Sequence, residues 1–468
     1  MRASEIISRL EEIVGSGHVS VPSDDLTFDQ DATFVDGNAS AVAHPRDTDE
    51  VARLVRVCHD LKLPVIARGA GTSLVGGPVP LSGGVVLGLH RLDDVVMDPA
   101  NICIVAGAGT IIADVQAAAA EHGFLYPPDP GSVGISTIGG NIACNAGGMC
   151  SVKYGVTADY VIGLTVVLAD GSILTLGGKT RKRSSGYRLI QLFIGSEGTL
   201  GVVTEAILKL VPMPRYRSTA MIGYDRLEDA ALAVSSTLAA GHFPSSLELL
   251  DSNAISLLSG HLPDGFKPKL AGVLIVEQDG NDEAWTRAEL DRMMANLGGS
   301  VRLVAESEEE REALWEGRRH FGRVLMSRRK NHFSEDVAVP IGAVPEMVKR
   351  VQTIADETGL TIATVGHAGD GNLHPCFVFD DEERHLIGPA AEKVFRAALE
   401  LGGTISAEHG LGALKRDFSE LEHGAAAMRL MRDIKSLLDP TGILNPHKIF
   451  PEGPADGEFL DRLPGWSA

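Results

Sequence analysis

The segment HAGDGNLH, residues 367–374, sets two imidazoles symmetrically about Asp370-Gly371. An Asp-Gly pair between apolar runs predicts a two-residue hairpin turn. Counting outward, 369 opposes 372, 368 opposes 373, and His367 opposes His374, which puts both rings on one face with Cβ atoms about 4.5–5.5 Å apart. Such a pair can chelate one divalent metal; the alternative is a histidine pair that merely ends a strand. A carboxylate as third ligand would leave positions open for substrate, as in catalytic zinc sites. SAEHG, at 406–410, brings Glu408 and His409 together. A neutral His409 beside a cation would suit proton abstraction near pH 7. Arg318 and Arg319, in WEGRRHFGR, offer a planar fork for a substrate carboxylate, against the alternative of a solvated helix face.

Three glycine-rich loops form a second kind of chemistry. VIARGAGTSLVGG, residues 65–77, follows a strand and can present backbone N–H groups to a phosphate, but it lacks the GKS/T of a Walker A loop. GAGTII at 107–112 starts like a dinucleotide fingerprint and lacks its last glycine, so a nicotinamide Rossmann domain is not expected. PPDPGSVGISTIGGNIACNAGG, residues 127–148, holds six glycines and three prolines and is expected to be neither packed helix nor regular strand. An irregular run of that length inside a domain points to function. LFIGSEGTLG closes the set at 192–201. Together the loops suit a large, extended ligand with a pyrophosphate.

The elements that must position these groups divide the chain. Apolar spacing predicts helices over 3–14 and, behind an Asp47/Glu50 capping box, to about Leu61. Between Pro64 and Leu210, short β-branched runs alternate with glycine turns, with a hairpin at Ala169-Asp170-Gly171 and one helix near 111–122. Beyond Pro212 and Pro214, helices over 227–240, 283–297, 306–330, 342–358 and 385–402 alternate with strands over 271–277, 361–367 and 373–379. A helix over 425–438 and a turn-rich tail follow. The fold class is α+β. A formal charge of −20 from 42 basic and 62 acidic residues lacks the footprint of a nucleic-acid binder. No run of 18 apolar residues and no signal-peptide core occur, so a cytoplasmic place is expected, without a transmembrane segment. The five cysteines are scattered without a CxxC, which excludes an iron–sulfur pattern.

RGAGTSLVGG, PPDPGSVGISTIGGNIACNAGG and GSEGTLGVVTEAILKL resemble the flavin-binding domain of the vanillyl-alcohol oxidase group. VGHAGDGNLHPCF, GGTISAEHGLG and LDPTGILNPHKIF extend the resemblance to the FAD-dependent D-2-hydroxyacid dehydrogenases, over about residues 30–450. The resemblance implies noncovalent FAD, since Thr72 stands where covalently flavinylated members carry histidine. It implies that Arg68, Gly69, Ala70, Gly71, Thr72 and Ser73 cradle the pyrophosphate. Pro128, Asp129, Thr137, Gly139, Gly140, Asn141, Ala143, Asn145, Gly147 and Gly148 would line the isoalloxazine and ribityl chain. Glu197, Gly198, Gly201 and Val202 would hold the adenine side, with Asn445 from the tail. It adds Glu408 to His367 and His374 as metal ligand, zinc foremost, and favours Arg318 for the carboxylate. Arg188 replaces an acidic residue of the family's GYDL.

The expectation is an FAD domain over 1–214, a cap over 215–425, and a segment 426–468 returning to the FAD domain. The activity implied is oxidation of a D-2-hydroxyacid, with His409 as base and hydride passing to flavin N5. Electrons would leave for an external acceptor: a quinone, a cytochrome or an electron-transfer flavoprotein. A homodimer and a peripheral membrane position through that acceptor are compatible with the resemblance. Relatives acting on hydroxyglutarate tend to be polar two positions after the second hairpin histidine, where this chain has Cys376. D-lactate is therefore favoured over glycolate and D-2-hydroxyglutarate, whose second carboxylate would need Arg319, Arg323 or Lys330. Two other classes are a flavin-free metal-dependent hydrolase, which would be colourless, and a non-catalytic flavin-fold subunit, which would lack the histidine hairpin.

Overall fold

The computed structural model describes residues 3–21, 28–264, 266, 269–328 and 331–466; Lys330 lies outside them. The first part builds two larger sheets, beside a two-stranded pairing of Phe124–Leu125 with Val211–Pro212. In one, strand Val85–Gly88 lies between Ala41–Ala43 and Val65–Arg68 and parallel to both, so its four residues are all buried. The other has five antiparallel strands in the order Val95–Asp98, Cys103–Gly107, Val202–Lys209, Val161–Val167 and Ile173–Gly177. The Ala169-Asp170-Gly171 turn joins the last two, with Val167 opposite Ile173. Asp47 caps the helix Thr48–Leu61 by accepting the Glu50 N–H, while the Glu50 carboxylate accepts from the backbone of Arg46 rather than Asp47.

From Tyr216 onward one antiparallel sheet dominates. Its order is Val301–Val304, Tyr216–Tyr224, Gly272–Gly280, Ser246–Asp251, Thr361–Gly366, Asn372–Phe379 and Asn331–Ser334, with Val337–Ala338 also on Asn372–Phe379. Ala230, Leu290, Met347 and Phe395 bury four helices (Leu227–Ala239, Glu283–Leu297, Val344–Thr358, Arg384–Glu400) in one core. Ile255, Leu314 and Trp315 bury the helices Ser252–Leu257 and Glu308–Arg328 in another. The C-terminal segment divides its packing. Ile443 and Leu444 join the core of the first sheet, and Phe459, Leu460, Leu463 and Trp466 join that of the later sheet.

Two local expectations are corrected. The 127–148 segment contains a helix, Ile138–Cys144, capped by the Thr137 hydroxyl and ended by Asn145 in the left-handed conformation. Its glycines are not breakers there: a Cβ on Gly139 would lie 2.8 Å from that of Ala108, so glycine lets the helix seat on its neighbour. The histidine turn is longer than two residues. His374 pairs with Val365, not His367, and residues 368–370 form a 3₁₀ turn closed by Gly371 at φ +83°. No helix among the described residues is long and apolar enough to cross a membrane.

Candidate active site

Although out of register, the two histidines still meet. Their rings lie 5.2 Å apart, edge to face, and His374 stacks on His409 at 5.3 Å with 12° between planes. Glu408 Oε1 is their common point, 3.6 Å from His367 Nε2, 3.4 Å from His374 Nε2 and 3.5 Å from His409 Nε2. One ligand atom from each of Asp336, His374, Glu408 and His409 falls within a 4.8 Å span. Asp336 Oδ1 and His409 Nδ1 are buried without a hydrogen-bond partner. Buried polar atoms are normally paired. A donor set of imidazole nitrogens and carboxylate oxygens with orphans among them fits zinc or a similar divalent ion.

A second layer of acids holds the cluster in place. Glu248, fully buried, bonds His367 Nδ1 through Oε1 at 2.6 Å. Asp336 Oδ2 accepts the N–H groups of Ala407, Glu408 and His409 at 2.8, 2.8 and 2.6 Å, which fixes the SAEHG loop. Lys415 is buried against Glu335 at 2.9 Å. Burial alone would drive every charge in this cluster towards neutrality. For His367, Glu248 and Glu408 outweigh burial and raise the ring well above its ordinary value. For Glu408, burial is outweighed by His367 and His409, which hold the carboxyl well below the usual range. For His374 burial wins and lowers the ring to about 4. His409 was expected to be neutral near pH 7; instead Asp336 and Glu408 overcome burial and raise it.

Arg318 is also bound differently from expectation. Its Nε donates to Glu248 Oε2 at 2.7 Å, so Arg318 and His367 share one carboxylate. Its remaining guanidinium N–H groups have no other partner among the described residues. Arg319 and Arg323 are exposed, and Arg319 pairs with Glu312. Glu248 and Asp336 escaped the sequence reading. The available signal was an acid inside the apolar strand SLELLD, and an acid pair heading VAV.

The glycine loops converge on the short helix Ile138–Cys144. A Cβ on Gly69, which follows Arg68 at its strand end, would lie 2.1 Å from Thr137 Oγ1, and Gly71 takes φ +72°. Ala70 is exposed, Thr72 and Ser73 are half-buried, and Ser73 Oγ accepts the N–H of Gly77. The Glu197 N–H reaches Ala143 O at 2.8 Å, while its carboxylate accepts the N–H groups of Leu411 and Gly412, each at 2.7 Å. Asn445 Nδ2 donates to Glu197 O and to Gly77 O. Gly198 has φ +72°, and Gly201 and Val202 are packed at the start of their strand. Pro128 is buried, and Gly148 turns at φ +151° against Asp129, whose carboxyl burial pushes up to about 7. Ser136 Oγ and Asn141 Nδ2 are buried without partners. Close-packed glycines, half-buried hydroxyls and orphaned amides fit a polar, elongated cofactor. Gly147 reaches the histidine cluster itself, where a Cβ would stand 3.0 Å from Glu408 Oε2. Arg188 lies outside this convergence, on an exposed stretch beside Tyr187, which is 94% exposed.

Glycine loops of this kind against a sheet-and-helix cap define a two-domain flavoprotein of the vanillyl-alcohol oxidase fold. The fold is similar to 4-ethylphenol oxidase from Gulosibacter chungangensis, with a TM-score of 0.78 and 21% identity over 96% of this chain and 97% of that one. It is also similar to p-cresol methylhydroxylase, at TM-score 0.78 and 16% identity over 95% and 96%. Residues 39–177 match the FAD binding domain family and residues 213–449 match the FAD linked oxidases, C-terminal domain. The glycolate oxidase subunit GlcD of Bacillus subtilis (strain 168) is 41% identical over 91% of this chain and 92% of its own length. A D-lactate dehydrogenase of Archaeoglobus fulgidus is 35% identical over 95% and 99%. The chain belongs to the FAD-linked oxidases.

Proposed function

We propose that this oxidoreductase converts a D-2-hydroxyacid to the 2-oxoacid, with D-lactate favoured and glycolate or D-2-hydroxyglutarate as alternatives. The observation that carries the reading is the approach of Gly147, in the glycine-rich segment, to Glu408, in the imidazole cluster. It brings the imidazole and carboxylate cluster up against the glycine-rich segment 127–148. Relatives named as glycolate oxidase subunit and D-lactate dehydrogenase agree with it, and the former keeps glycolate as second reading.

In this reading 1–214 is the FAD domain, 215–425 the cap, and 426–468 a segment shared between them. The loops at 68–73, 128–148 and 195–202, with Asn445, hold FAD without a covalent bond, Thr72 offering no imidazole for one. His367, His374 and Glu408 hold one divalent metal, zinc foremost. When bound, FAD supplies the hydride acceptor and the metal supplies Lewis acidity that lowers the pKa of a coordinated hydroxyl. Glu248 holds His367 by Nδ1 and leaves Nε2 for the metal. Arg318 keeps Nε on Glu248 and turns its free N–H groups to the substrate carboxylate. His409 would receive the hydroxyl proton at Nδ1, which is buried without a partner. With Arg319 and Arg323 exposed, Arg318 serves a single carboxylate, which suits a monocarboxylate. The reading places the enzyme in the cytoplasm, with a quinone, cytochrome or electron-transfer flavoprotein taking its electrons.

An anaerobic screen of D-2-hydroxyacids that follows loss of flavin colour tests the proposal. Bleaching by at least one of them in metal-replete protein is expected. Retention of full colour with every D-2-hydroxyacid, in protein that dithionite still reduces, would overturn it.

A further inference from the structure

Away from that cluster, the helix Glu308–Arg328 carries a second set of ligating side chains on another face. Glu316 and His320 stand four residues apart, the spacing that stacks two side chains on one helix face. His261, on the loop after the helix Ser252–Leu257, completes the group. His261 Nδ1 lies 3.6 Å and His320 Nδ1 3.9 Å from Glu316 Oε1, and the three ligand atoms fall within a 4.8 Å span. The two rings lie 5.4 Å apart. His320 Nδ1 is buried and has no hydrogen-bond partner, a cost that a hydrogen bond or a metal bond would relieve.

The backbone is built to keep the three together. His261 N–H donates to Leu258 O at 2.7 Å, which pins the loop to the end of its helix. Gly317 lets the long helix approach: a Cβ there would come within 2.8 Å of Leu262 Cδ2 and 3.0 Å of His261 O. The side chains of His261, Glu316 and His320 remain 39%, 52% and 33% exposed, which leaves a solvent-facing position for a water as fourth ligand.

We infer that His261, Glu316 and His320 form a second divalent-metal site, separate from the His367/His374/Glu408 cluster, that takes zinc or a comparable nitrogen-seeking ion. Two imidazoles and one carboxylate match zinc in donor type and number, and hard oxygen-seeking ions such as magnesium are disfavoured. Bound there, the ion ties the helix that carries Arg318 to the 258–262 loop and stabilises the folded state by linkage.

The test uses untagged, flavin-loaded protein stripped of metal and titrated with Zn²⁺ or Co²⁺ by equilibrium dialysis, with flavin absorbance as the check on folding. His374→Ala protein should keep one equivalent and a Zn²⁺-dependent rise in melting temperature. Adding His320→Gln or His261→Ala to it should remove both, because losing a direct ligand costs more than the about 10–100-fold in affinity that outer partners are worth. The inference is overturned if metal uptake and the thermal shift in the His374→Ala background are unchanged by His320→Gln and His261→Ala, or if His374→Ala protein binds none. Either result leaves the first site to be judged by its own variants.

Discussion

Gly147 and Glu408, 261 positions apart in sequence, touch closely enough that a methyl group on the glycine would press to 3.0 Å from Glu408 Oε2 and 3.2 Å from Ser151 Oγ. A contact at that distance forces the neighbour to yield, and here the neighbour is the carboxylate on which three imidazoles converge. Gly147→Ala is therefore expected to displace Glu408 while the flavin stays bound. The expected result is a loss of about ten-fold or more in kcat/KM, roughly 1.4 kcal/mol of transition-state stabilisation. Steady-state kinetics beside the flavin content of the purified variant decide it; unchanged kinetics would mean that turnover does not depend on this Gly147–Glu408 contact.

His409→Asn removes the proposed proton acceptor and keeps the ring's approximate volume. The rate of anaerobic flavin reduction should fall about 10²–10⁴-fold, with a much smaller change in substrate binding. Stopped-flow reduction measures both, and a wild-type rate would assign the proton elsewhere.

Glu248→Gln leaves a buried amide where one carboxylate accepts from both His367 and Arg318. The amide nitrogen must face one of those donors, so one bond is lost. Affinity for the metal at the His367/His374/Glu408 site should drop about 10–100-fold. Competition with a graded chelator, in a His320→Gln background, measures that affinity. In the unsubstituted protein, removing the metal should stop turnover and leave the flavin spectrum largely intact.

Burial raises the Glu197 carboxyl to about 7, against the Leu411 and Gly412 N–H groups that lower it. The folded state thus holds this proton more tightly than the unfolded chain does. Its stabilising share is full below the ordinary carboxyl value of about 4.3, is lost as pH rises towards about 7, and stays lost beyond. Urea unfolding of flavin-loaded protein at pH 5 and pH 8 should show the wild-type advantage over Glu197→Gln shrinking at the higher pH. An equal difference at both values would contradict the shift.

The proposed substrate preference rests on assigning one carboxylate to Arg318, since Arg319 and Arg323 face solvent. With an artificial acceptor, kcat/KM should favour D-lactate over D-2-hydroxyglutarate. A ratio of ten or more towards hydroxyglutarate, about 1.4 kcal/mol, would reverse the assignment.

Local patterns carried much of the fold to the surface of the sequence. The helix at 3–14, the Ala169-Asp170-Gly171 hairpin and the alternation beyond Pro214 are all present near their expected bounds. Local patterns failed where a long-range contact overrides propensity. The 138–144 helix seats closely because Gly139 fits against Ala108, which the 127–148 segment alone does not reveal. The histidines meet although the turn between them is longer than Asp-Gly dictates, because a 3₁₀ segment closed by Gly371 still returns the chain beside His367. Glu248 and Asp336 were invisible for a related reason. Each acts on a partner 70 to 119 residues away, and no periodicity marks such a pairing.

The Glu197 and Asn445 bonds span 214, 215, 248 and 368 positions of chain. A ribosome adding about 5–20 residues per second delivers the 195–201 loop well before the segments that hold it from the far side. Until residue 445 has emerged, that loop lacks the partners for its backbone carbonyl, and closing so long a span is entropically slow. The 195–201 loop is thus fastened from its far side only when nearly the whole chain has been made.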